Sequence, residues 1–144
     1  MFVDASAMLA ILNDEPEAAS FAAALELAGR SITSPIAVFE TTAGLCRLRR
    51  VTVDDAAAEV SRFLSIADID CLPITAEDAS AALAAFARYG KGRGHPAHLN
   101  LGDCFAYAAA RRHGRALLFK GKDFTQTDIA PAGTAPPEPT LRPA

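Results

Sequence analysis

Cysteine occurs only three times in the chain, as Cys46, Cys71 and Cys104. The number is odd and no two of them share a CxxC spacing. That excludes a disulfide framework and leaves no thiolate zinc site, so the three are expected to be small buried hydrophobes. Long apolar runs are missing too. No stretch approaches the roughly 20 residues that a membrane-spanning helix requires. The opening MFVDAS lacks both the basic region and the apolar stretch of a secretory signal. A cytoplasmic protein without membrane contact is expected. Excess positive charge is also absent: the net charge is −3, which taken alone argues against a protein that coats nucleic acid. The GxSxG, HExxH, GxGxxG and GxxxxGKS/T signatures do not occur, so the nucleophile and cofactor chemistry they carry has no local support.

What is present describes one globular domain. The chain has 144 residues, 51% of them hydrophobic and 22% charged. Domains commonly run to about 100–150 residues, so no second core is needed. Residues 1–3 read as a short buried strand. A helix starts near Ser6, and Asp14 and Pro16 break it. Further helices are expected over 17–28, from the Ser34 cap and Pro35 onward, from Thr52 to 66, from Thr75 to 89, and from Asp103 to 113. Between them lie expected strands at 31–33, 69–72 and 116–119. Strands alternating with helices point to an α/β sandwich around a parallel sheet, because parallel strands need crossovers. The 91–101 loop is long for a compact domain and is expected to form a rim or lid over a site. From residue 131 the chain is rich in proline and lacks apolar periodicity. The expected division is a folded domain over 1–130 and a disordered tail over 131–144.

Four acids stand at breaks between apolar segments: Asp4 after Met-Phe-Val, Glu40 in PIAVFETTAGLCR, Asp103 in NLGDCFAYAA and Asp123 in LLFKGKDF. A carboxylate at the edge of a hydrophobic run loses hydration unless something positive meets it. Carboxylates drawn from distant parts of a chain suit a hard, oxygen-seeking ion such as Mg²⁺ or Mn²⁺. Asp4 and Asp123 follow expected strands, on the sheet edge where open α/β sheets bind ligands. Each acid also has a structural reading. Glu40 fits a helix boundary between core and water, Asp103 a first helical turn, Asp4 a helix cap and Asp123 a turn, with Asp128 competing for the last place. Periodicity shows that the acids could converge, and phosphodiester chemistry is the leading reading. Basic residues fall in clusters: Arg47, Arg49 and Arg50; Lys91 with Arg93; and Arg111, Arg112, Arg115, Lys120 and Lys122. Helix-end charge and phosphate contact both fit the first of these. His95 and His98 have a loop spacing usable by zinc, but no other soft ligand is near.

The opening MFVDASAMLAIL, VFETTAGLCR around Glu40, and LNLGDCFAYAAARRHGRALLFKGKDFTQTDI, in that order and spacing, resemble the PIN-domain ribonuclease toxins of the VapC type from bacterial type II toxin–antitoxin pairs. The resemblance runs from Met1 to about Ile129. It implies a PIN-like α/β/α sandwich with a short central parallel sheet. It implies a metal site of Asp4, Glu40 and Asp103 completed by Asp123, with Ser6 orienting Asp4. One departure is that many PIN domains carry Thr-x-Asp or Thr-x-Asn after the last core strand, where this chain has Phe119-Lys120-Gly121.

The activity implied is Mg²⁺- or Mn²⁺-dependent hydrolysis of RNA phosphodiesters. The partners implied are an RNA substrate, a VapB-type antitoxin covering the groove, and a second copy in a homodimer. Alanine-rich surfaces at 18–28 and 56–58 fit contacts for either protein partner and equally fit ordinary core faces. Two rival readings remain at this stage: a catalytically weak PIN-fold module that holds RNA or protein, and a metal-dependent phosphatase-like hydrolase. The second wants an Asp two residues after its nucleophile, where Ser6 stands.

Overall fold

The computed structural model describes residues 1–132. Apart from Pro131 and Ala132, the expected C-terminal tail lies outside the described residues. Four short strands, β1 (Phe2–Val3), β2 (Ser31–Thr33), β3 (Ile69–Cys71) and β4 (Leu117–Leu118), alternate with six helices. These are α1 (Ala5–Leu12), α2 (Ala18–Ala28), α3 (Pro35–Arg49), α4 (Val53–Ile66), α5 (Ala76–Tyr89) and α6 (Leu101–Arg112), with a 3-10 turn at Asp123–Gln126. Most helix starts follow from local chemistry. Ser34, Thr52 and Thr75 accept the backbone N–H three residues ahead, and Pro35 fills the first turn of α3, where a missing N–H is harmless. At the other end of α2, Gly29 takes the left-handed φ of 65° that closes the helix.

The strands are all parallel, in the order β3-β2-β1-β4. Because side chains alternate across a strand, neighbouring residues feed opposite cores. Phe2 and Leu117 join Ile32, Tyr89, Leu99 and Tyr107 beneath α5 and α6. Val3 and Leu118 join Met8, Leu25, Ala37 and Ile69 beneath the other helices. A third cluster, Leu45, Ala56 and Val60, locks α3 to α4. Gly44 brings α3 close to α1, since a Cβ there would lie 2.7 Å from a Leu9 methyl. This is the α/β/α sandwich with a short central parallel sheet.

Three local expectations need correction. The 91–101 loop is pinned rather than lid-like. Lys91 N–H donates to Leu99 O and Leu99 N–H to Tyr89 O, both at 2.9 Å, and Ala97 and Leu99 are fully buried. Apolar side chains at the loop's end outweigh its glycines and tie it down. Of the cysteines only Cys104 is buried; Cys46 is half-buried, and Cys71 is exposed because it lies on the edge strand β3. Finally, Pro131 and Ala132 run beside β4, with Ala132 N–H donating to Leu117 O at 2.8 Å. They cover an edge whose backbone groups would otherwise lack partners.

Candidate active site

Backbone geometry at the ends of β1 and β4 sets the first two positions. Asp4 leaves β1 and caps α1: its Oδ2 accepts the Ser6 N–H at 3.0 Å and the Ser6 hydroxyl at 2.5 Å. Ser6 Oγ in turn accepts the Lys120 N–H at 3.0 Å, so one hydroxyl ties Asp4 to the segment following β4. That segment runs on to Asp123, the exposed first residue of the 3-10 turn. Helix α3 carries Glu40 near its middle, and α6 brings Asp103 in its first turn.

The start of α6 lies two residues earlier than expected. Asn100 is the cap, its Oδ1 accepting the Asp103 N–H at 2.9 Å while Asp103 Oδ2 accepts the Asn100 N–H at 3.0 Å. The capping role weighed for Asp103 is therefore real, but it uses one oxygen and leaves the other free to face the cleft. Removing the Asn100 side chain is expected to destabilise the fold by about 1 kcal/mol, the usual effect of losing a cap. Urea unfolding of Asn100→Ala measures it.

All four acids line one cleft of about 410 Å³, together with Ser6, Phe39, Gly44, Arg47, Asn100 and Lys120. Asp128 is elsewhere: it accepts the Tyr107 hydroxyl at 2.5 Å and stands 3.6 Å from Arg88. His95 is also elsewhere, edge-on to Tyr89, with its Nδ1 accepting the Ala97 N–H. The Arg47, Arg49, Arg50 cluster divides. Arg47 lines the cleft, whereas Arg49 binds Glu59, Asn13 and the Leu12 carbonyl and so ties α3 to α1 and α4. Lys120 is also at the cleft, but its ammonium meets Glu15 and Glu17.

Electrostatics joins the acids into one group. Asp4 is 5% exposed; burial pushes its carboxyl above the usual range, the Ser6 hydrogen bonds oppose that, and the charge of Asp123 adds to it. Glu40 is pushed up to about 7, by burial first and then by Asp4 and Asp103. Asp103 is pushed up to about 6 by burial, against its bond to the Asn100 N–H, with Asp4 and Asp123 adding repulsion. Among the described residues none of the four forms an ion pair. Such a set is poorly compensated as it stands, and a cation is what would relieve it.

The donor chemistry fits a hard divalent ion: carboxylate oxygens only, no thiolate and no imidazole. The described side chains nonetheless do not gather any three of His, Cys, Asp or Glu tightly enough to grip an ion without adjustment.

Sequence reasoning missed Gly102 and Asn100. A Cβ on Gly102 would lie 2.6 Å from the Glu40 carboxyl carbon and closer still to both its oxygens. The available signal was a glycine in the first turn of a helix, which propensity disfavours.

The model of the family described as "PIN domain" matches residues 1–130. A VapC ribonuclease of Rhizobium meliloti is 42% identical over 139 residues, covering 89% of this chain and 98% of its own. Ribonuclease VapC30 of Mycobacterium tuberculosis is 42% identical over 130 residues, covering 90% and 96%. Among solved structures, M. tuberculosis VapC20, described as a sarcin-ricin loop cleaving toxin, superposes with a TM-score of 0.71 at 20% identity. That match covers 90% of this chain and 95% of VapC20, and it speaks for the fold. On sequence and fold together, this chain belongs to the PIN-domain family, in its VapC branch.

Proposed function

We propose that this protein is a divalent-metal-dependent ribonuclease, the toxic component of a type II toxin–antitoxin pair. In this reading Asp4, Glu40 and Asp103, completed by Asp123, hold Mg²⁺ or Mn²⁺. The observation that carries the proposal is the cleft: four carboxylates from distant parts of the chain, coupled to one another and, among the described residues, free of ion pairs. The names of the relatives support a ribonuclease. A divalent cation held by these acids would supply positive charge against the scissile phosphate and lower the pKa of a water beside it.

The chain's own residues do the rest. Ser6 holds the Asp4 carboxylate by its Oδ2. Asn100 holds Asp103 in the same one-oxygen manner. Arg47 offers an exposed cation at the cleft wall for a backbone phosphate. The acids hold charge and need not move protons. A pure binding module has no use for uncompensated negative charge facing a polyanion.

The remaining partners follow the family: a VapB-type antitoxin whose segment covers the cleft, and a second copy of the chain. No helix among the described residues is long and apolar enough to cross a membrane. We place the protein in the cytoplasm, where its RNA substrate is.

The test is cleavage of a mixed RNA panel, including tRNA and ribosomal fragments, by antitoxin-free protein across a Mg²⁺ titration, with Asp103→Asn alongside. Metal-dependent cuts that the variant lacks are expected. Equal cutting by the variant, or cutting in excess chelator, overturns the proposal.

A further inference from the structure

We infer that Gly102 is a positioning residue: the missing side chain lets the first turn of α6 close against Glu40 and keeps that carboxylate in the cleft beside Asp4 and Asp103. The inference rests on the metal-nuclease reading and extends it to a residue outside the acid set. Glycine is the poorest helix former after proline, so its presence inside α6 needs a reason. Backbone conformation is not that reason, because Gly102 lies within the regular helix Leu101–Arg112 and has no left-handed φ. Close approach is. An ideal Cβ would fall 2.6 Å from the Glu40 carboxyl carbon, a separation that real Cβ atoms essentially never show, and its three nearest neighbours all belong to the Glu40 carboxylate.

What must yield is therefore one side chain. Glu40 accepts no hydrogen bond from the described residues, so only packing holds its carboxylate, against repulsion from Asp4 and Asp103. The turn it meets is held by the reciprocal bonds of Asn100 and Asp103. Leu101, its neighbour, is 68% exposed. A methyl group at position 102 thus leaves the helix in place and moves Glu40, separating the stability of the fold from the placement of the acid.

Mn²⁺ binding to the full metal-free chain, by calorimetry, tests this in wild type, Gly102→Ala, Glu40→Ala and the double variant. The Glu40 ¹³Cδ resonance, assigned by its loss in Glu40→Ala, is recorded in parallel. Gly102→Ala is expected to weaken Mn²⁺ binding about 10- to 100-fold, the range seen when a group orienting a ligand is altered. It should also shift the Glu40 resonance and melt at or above the wild-type temperature. In the Glu40→Ala background the same change should add nothing, because its effect passes through that carboxylate. Wild-type Mn²⁺ affinity in Gly102→Ala, an equal loss in both backgrounds, or a large fall in melting temperature would each overturn the inference. Should wild type bind no Mn²⁺ while the Glu40 resonance still shifts, the metal reading fails and the positioning role stands. An unmoved resonance removes the positioning role.

Discussion

Asp4→Asn is expected to reduce RNA cleavage by at least about 10²-fold, the scale of losing one electrostatic partner of a charged transition state, while the metal-free protein melts at a higher temperature than wild type. The two effects have one cause. Asp4 is buried, meets no cation among the described residues, and is repelled by Asp123. Asparagine keeps an oxygen for the Ser6 N–H and hydroxyl and remains a good helix cap, so the α1 cap is kept. What disappears is a buried charge whose desolvation opposes folding. Thermal melts with and without Mg²⁺ separate the contributions. A ligand that binds only the folded state raises its stability, so Mg²⁺ should raise the wild-type melting temperature more than that of the variant. Unchanged cleavage by Asp4→Asn at low Mg²⁺ would remove Asp4 from the site.

Raising the pH from about 6 to about 7 is expected to strengthen Mn²⁺ binding by on the order of tenfold, as ligands that must be deprotonated lose their protons. Those values belong to Asp103 and Glu40, and both are raised from the ordinary 3.8 and 4.5. Because the acids are coupled, the release should appear as a property of the group rather than as two separate steps. The metal-free protein should respond in the opposite sense. Between the ordinary and the raised values, the folded chain holds protons that the unfolded chain has already lost. The proton-binding difference is therefore negative and the free energy of unfolding falls as pH rises. These two groups oppose folding most above pH 7 and least below their ordinary values. Urea unfolding at pH 5.5 and 8, with chelator and then with Mn²⁺, gives the comparison. A metal-free protein more stable at pH 8, or Mn²⁺ affinity flat across this range, would contradict the uncompensated-acid account.

Local chemistry explains why so many element boundaries could be read from the chain. Ser34-Pro35, Thr52 and Thr75 each place a hydroxyl three residues before an unsatisfied amide, and each helix starts there. Read alone, Asp103 suggests the start of α6, but Asn100 and Asp103 cap each other and the helix begins earlier. The 91–101 loop misled for a related reason: its glycines and lysine suggest freedom, whereas Ala97 and Leu99, in the same stretch, enter the core. Local patterns report what a residue favours, and tertiary packing can override them.

The candidate site divides along the same line. The sequence by itself determined the α/β class, the four acids at breaks in the apolar pattern and the family blocks, because strand and helix periods, caps and apolar runs act over a few residues. Only the tertiary structure decided that Asp123 enters the cleft while Asp128 turns to Tyr107. The same holds for Arg47 facing the acids while Arg49 binds Glu59, and for Gly102 clearing space for Glu40. Those choices depend on contacts between residues far apart in the chain. Burial, repulsion and close approach exist only once the sheet and its two helical layers have brought those residues together.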